Sequence, residues 1–71
     1  MSNAWETTNE DIINVAHNMG FDIGYGEADN ISDSLNHSAI EKEALYGDDI
    51  TEQTEYAYQE IKEQIINGDL I

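Results

Sequence analysis

The stretch Asp48-Asp49-Ile50-Thr51-Glu52-Gln53-Thr54-Glu55-Tyr56-Ala57-Tyr58-Gln59-Glu60-Ile61-Lys62-Glu63-Gln64-Ile65-Ile66-Asn67-Gly68 reads as one helix with both ends marked. Asp49 and Glu52 have the D-x-x-E spacing of a capped start, and Thr51 is a second good N-cap residue. The helix is expected over 51–67. Thr54, Ala57, Tyr58, Ile61 and Ile65 recur at three- and four-residue intervals, which places them on one face as its buried stripe. Asn67-Gly68 marks the stop, and Leu70-Ile71 is expected to fold back as a hydrophobic tail.

The preceding segments carry the same kind of punctuation. Ser38 and Glu41 have the S-x-x-E spacing of a capping box. They start a helix from Asn36 or Ser38 to Tyr46, with Ile40, Ala44 and Leu45 as its apolar face and Gly47 as its end. A short helix over 28–35 buries Ile31 and Leu35. Phe21, Ile23 and Tyr25 alternate between glycines with the period of a strand, but no second strand pattern lies nearby. Residues 20–26 are therefore expected as a loop that tucks Phe21 and Ile23 into the core, and a strand paired across a dimer is the competing reading. The first helix is expected over 9–19, started by Thr7 with Glu10 or Thr8 with Asp11. Its apolar face is Ile12, Val15, Ala16 and Met19, and Gly20 is its C-cap.

The expected fold is all-α: a small antiparallel bundle of three main helices plus one short helix. Residues 8–71 form a single helical domain. Residues 1–7 are a flexible N-terminus in which Ser2-Asn3-Ala4 resembles an expression-vector remnant.

Composition narrows the function classes. The 71 residues include 16 Asp and Glu against two Lys, for a net charge of −14, with no Cys and no Pro. The charge divides evenly between residues 1–35 and 36–71, so it belongs to the whole domain and not to a tail. Low hydrophobicity with high charge is a signature of disorder. Here, though, the apolar residues fall in helical stripes bounded by start and stop signals, which favours a folded chain. Without Cys there is no disulfide framework, thiol nucleophile or Cys-based zinc site. Two cations cannot neutralise a row of phosphates, which argues against direct nucleic-acid binding. The longest apolar runs are three residues, Ala44-Leu45-Tyr46 and Tyr56-Ala57-Tyr58, against ~20 for a membrane span, so a cytoplasmic protein without a signal peptide is expected.

Chemical signatures are sparse. Asp29-Asn30-Ile31-Ser32-Asp33-Ser34 begins like a calcium loop but has Ile31 at the third position and Ser34 where glycine is required. His17 and His37 lack zinc spacing. No serine sits in a nucleophile elbow, and no catalytic carboxylate pair stands out. The expectation is a non-enzymatic binding protein with no cofactor and no metal.

The acidity itself is the functional clue. Glu52, Glu55 and Glu63 share roughly one face of the last helix, with Glu60 on its border, and Glu52 to Glu63 spans about 16 Å. Glu41, Glu43, Asp48 and Asp49 lie just before it. Such a ridge can present carboxylates at spacings comparable to phosphates and attract a basic nucleic-acid-binding cleft. Tyr56, rotated about 160° from Tyr58, is expected to be exposed as an anchor within the acidic rim. Charge runs commonly serve solubility alone, but that requires a net charge of magnitude only ~2–8 in a small domain.

The segments Ala39-Ile40-Glu41-Lys42-Glu43-Ala44-Leu45-Tyr46-Gly47-Asp48-Asp49 and Glu52-Gln53-Thr54-Glu55-Tyr56-Ala57-Tyr58, about a third of the chain, resemble small acidic accessory proteins of phages and plasmids. That resemblance implies an inhibitor of host DNA handling of the anti-restriction or anti-CRISPR type. The reading is thus an acidic protein that engages and inhibits a basic nucleic-acid-binding partner through Glu41, Glu43, Asp48, Asp49, Glu52, Glu55, Tyr56, Glu60 and Glu63. The alternative is a small assembly module that homodimerises through apolar helix faces, its acidity incidental.

Like-charge repulsion subtracts from the stability of so small a core. The melting temperature is expected to rise clearly between low and moderate salt, as screening shortens the Debye length to about 10 Å at 0.1 M. Thermal melts followed by circular dichroism across a salt series test this, and a flat series counts against it.

Overall fold

The structure is a computed structural model that describes residues 5–71, so the vector-remnant reading of Ser2-Asn3-Ala4 lies outside the described residues. About 70% of those residues are helical and none is in a strand. The four helices are α1 (Asn9–Asn18), α2 (Tyr25–Ser34), α3 (His37–Ala44) and α4 (Ile50–Gly68). Helix α4 is 19 residues long, whereas α1, α2 and α3 have 10, 10 and 8. The helix expected to be the short one, α2, therefore matches α1. None of the described helices is long and apolar enough to cross a membrane.

At the start of α1 the choice falls on Thr8 with Asp11. Asp11 N–H donates to Thr8 Oγ1 (3.3 Å) and Thr8 N–H to Asp11 Oδ2 (2.9 Å), a reciprocal capping box. At the other end Gly20 has φ +95°, a conformation L side chains rarely adopt. Gly20 N–H donates to His17 O and Phe21 N–H to Ala16 O, both at 2.9 Å, which is a Schellman closure. This closure pins Phe21 at the rim of α1, where its side chain is 43% exposed, and the core receives Ile23 instead. The expectation that Phe21 tucks inward is corrected.

Residues 25–27 are also helical rather than loop. Gly24 is the N-cap of α2, and its N–H donates to Glu27 Oε1 (3.3 Å). An acid three residues after the cap also favours the positive end of the helix dipole.

Helix α3 starts at Asn36, whose side chain accepts from Ala39 N–H (3.2 Å), so the Ser38–Glu41 box is not the start that forms. A partner from α4 fixes this corner. Asn36 N–H donates to Gln64 Oε1 (2.7 Å), and Gln64 Nε2 donates to Asn36 O (3.2 Å). Leu45 is corrected too. It lies five residues past Ile40, about 140° round the helix, and is 67% exposed while Ile40 and Ala44 are buried.

Gly47 then makes a close approach. It is buried, and a Cβ there would fall on the backbone nitrogen of Gln53. Asp49 Oδ1 accepts from Glu52 N–H (2.9 Å), so α4 begins at Ile50. Thr54 sits at the edge of the buried stripe, half-exposed, with its hydroxyl donating to Ile50 O (2.8 Å). Past Gly68, Asp69 takes the left-handed conformation (φ 52°), and Leu70 N–H donates to Ile65 O (3.0 Å). Leu70 packs on the core as the fold-back predicts, whereas Ile71 remains exposed.

The core is aliphatic: Ile12, Val15, Ala16, Ile23, Ala28, Ile31, Leu35, Ile40, Ala44, Ala57, Ile61 and Ile65. No polar or charged residue among those described is buried. Helix α3 packs on α4, and α1 packs on both α2 and α4. Trp5, within the N-terminal segment expected to be flexible, is half-buried against this core.

Gly47→Ala is expected to cost about 1–3 kcal/mol, the usual penalty for forcing atoms into a packed site. Gly26→Ala, inside α2 with open space around it, is expected to gain up to about 1 kcal/mol. Urea denaturation midpoints that move down for the first variant and up for the second meet both expectations.

Candidate functional site

With Ala57, Ile61 and Ile65 turned inward, the opposite face of α4 is set by rotation of 100° per residue. Glu52 and Glu63 lie almost directly opposite Ile61, and Glu55 and Tyr56 lie to either side. All four are exposed. Glu60 lies at the border as predicted. It is half-buried, and Gln64 Nε2 donates to its Oε2 (2.9 Å). One α4 side chain thus orders both the Glu60 carboxylate and the α2–α3 corner.

The α3–α4 turn sets the acids at the N-terminal end of this face. Asp48 and Asp49 are exposed. Asp49 is engaged as the cap of α4, and Glu52 Oε1 accepts from Asp48 N–H (2.9 Å). Helix α3 separates its two acids. Glu41 and Glu43 are two residues apart, so they lie on opposite flanks of the buried Ile40–Ala44 stripe, both half-exposed. Glu43 shares its flank with Ala39, which faces Glu60 and Gln64 across a shallow groove. Glu41 is on the far flank and does not join the α4 ridge.

Tyr46 is the residue the sequence reading left without a role. It is 69% exposed, and its ring meets the edge of Tyr56 at a centroid distance of 6.5 Å and an interplanar angle of 64°. Tyr56 is 39% exposed, as expected of it. No spacing rule connects positions 46 and 56, because their contact crosses from the α3–α4 turn to the second turn of α4.

Acids also crowd the α1–α2 side, which the reading did not single out. Tyr25 OH donates to Glu10 Oε2 (3.2 Å), and Asn9 Nδ2 donates to Asp29 Oδ1 (2.5 Å). Glu27, Asp29 and Asp33 are exposed on α2. Carboxylates therefore project from all four helices. The segment that begins like a calcium loop lies inside α2, where a helix cannot wrap its side chains around an ion. Among the described residues no three His, Asp or Glu side chains form a metal-holding group.

His37 Nε2 lies 2.9 Å from Ser32 O and 3.2 Å from Ser32 Oγ. The carbonyl can only accept, so Nε2 carries the proton. It therefore cannot take one from the Ser32 hydroxyl, and the pair is a helix-end tether rather than a nucleophile and base.

Tyr58 joins α4 to α1. Its hydroxyl donates to Asp11 Oδ1 (2.8 Å) and accepts from Asn14 Nδ2 (3.3 Å), and Trp5 meets its ring edge-on at 6.3 Å. It is half-buried rather than fully in the core. Burial pushes its phenol above the ordinary 10.0; the Asp11 bond and the charges of Asp11 and Glu10 act the same way, against the Asn14 amide.

No family profile, curated protein or solved structure matches the chain.

A raised folded-state pKa on a group that loses a proton means that the folded state holds that proton more tightly. Its contribution is therefore complete below about pH 10 and is lost as pH rises through the raised value. Tyr58→Phe is expected to cost about 1 kcal/mol near neutrality, the net worth of a hydrogen bond, and to flatten the alkaline fall in stability. Urea melts at stepped pH from 8 to 11 on both proteins measure it.

Proposed function

We propose that this chain is a non-enzymatic acidic protein whose surface engages, and thereby inhibits, a basic nucleic-acid-binding protein. The observation that carries this reading is the ridge on α4. Glu52, Glu55 and Glu63 are exposed along one face, over a length of about 16 Å, in a chain with only two lysines. A cleft built to bind phosphates meets carboxylates there instead. The remaining acids extend the negative field over the other helices and steer a cationic partner from a distance. Lys62 is the one cation on α4. It lies about 80° from Glu52 round the helix, at the edge of the ridge rather than within it.

The reading carries a fold and a setting. The helices form a small antiparallel bundle, which their short connections support. The protein works in the cytoplasm, as an accessory protein of the phage or plasmid kind.

A second reading is supported by a different observation. Leu45, Ile50 and Ile66 are large, apolar and exposed. A small assembly module would cover them with a second copy, and its acidity would be incidental.

Salt separates the two. For the acidic-ligand reading, association with a basic partner captured from host lysate at low salt is expected to slow roughly 10- to 1,000-fold as steering is screened. The Glu52→Gln/Glu55→Gln/Glu60→Gln/Glu63→Gln variant is expected to elute at much lower salt than the wild type. For the assembly reading, sedimentation shows a dimer whose stability barely responds to salt or to these substitutions.

A further inference from the structure

The exposed aromatic pair at the α3–α4 corner fits a particular kind of cation. Tyr46 and Tyr56 meet edge to face, and both remain open to solvent. Tyr56 lies one helical turn from Glu52 on one side and from Glu60 on the other, the i, i+4 spacing that brings side chains together. Tyr46 follows Glu43 by three residues, and its N–H donates to Glu43 O (3.1 Å). On α4, Glu52 and Glu60 are therefore the helical neighbours of the Tyr56 ring. One oxygen of each carboxylate is held on the side away from Tyr56, Glu52 by Asp48 N–H and Glu60 by Gln64, which leaves the other oxygen of each for a cation.

A second copy of this chain would bring another −14 charge against the same acidic rim, so self-association at this corner is opposed. A cationic segment is favoured by both features at once. Lysine can supply the charge, but its ammonium is compact and strongly hydrated. An arginine guanidinium is planar and weakly hydrated, stacks on aromatic faces and pairs in a bidentate way with carboxylates. We propose that the Tyr46–Tyr56 corner, flanked by Glu52 and Glu60, is a docking site for an arginine-rich segment of a partner protein, with the tyrosines selecting arginine over lysine. This inference rests on the acidic-ligand reading and names the chemistry of the partner.

The test uses octa-arginine and octa-lysine peptides, equal in charge, titrated into the full chain by calorimetry at low salt. The wild type is expected to bind octa-arginine more tightly. Tyr46→Leu keeps the corner apolar but removes the ring. It is expected to weaken octa-arginine binding about two- to fivefold, the range of an exposed cation–π contact, and octa-lysine binding by less, so that the preference for arginine shrinks. Tyr46→Phe is expected to retain the preference. Tyr46 is largely exposed, so both variants should keep the wild-type circular dichroism spectrum. If both peptides bind and neither responds selectively to Tyr46→Leu, the corner assignment is overturned while the acidic-ligand reading stands. If neither peptide binds, both fall.

Discussion

The described interior holds aliphatic side chains and no charged or polar residue. Holding together a chain of net charge −14 therefore falls to twelve apolar residues, each worth at most about 1.5–3 kcal/mol when large and fully buried. An ionised carboxylate placed in so small an interior would cost more than any one of them contributes. The chain meets this constraint by giving each helix one narrow apolar stripe and turning the acids outward. It also uses some acids locally. Asp11, Glu27, Asp49 and Glu52 accept from backbone N–H groups at helix starts, where the helix dipole favours negative charge.

That local use bears on how the acidity is interpreted. Asp49 is spent on capping α4, and one oxygen of Glu52 is held by the turn before it. Glu55 and Glu63 have no such structural duty in the hydrogen bonds of α4, and Glu60 is held by Gln64 from its own helix. Acids beyond those used in capping stand on every helix, and those of α4 lie alongside the aromatic corner.

Tyr58 shows a second way in which the chain ties itself together. Helix α1 packs with α2, and α3 packs with α4. The Tyr58 hydroxyl bonds to the same Asp11 whose other oxygen closes the α1 capping box. One carboxylate therefore both starts a helix and fastens α1 to α4.

Much of this could be read along the chain. All four helices were legible, as were the paired cap candidates at the starts of α1 and α4, the Gly20 stop, most of the buried stripes and the exposure of Tyr56, because each depends on residues within one or two turns of one another. The errors fall where distant residues meet. Of the two starts open for α3, Asn36 is the one that forms, and Gln64 reaches it from α4. Phe21 stays outside because the closure of α1 pins its backbone. Tyr46, in the turn after α3, meets Tyr56 only through the docking of that turn on α4. Periodicity and capping chemistry are short-range, so the sequence alone determined where helices begin, end and turn inward. Which surface groups become neighbours depends on how those helices dock, and only the tertiary structure decided that.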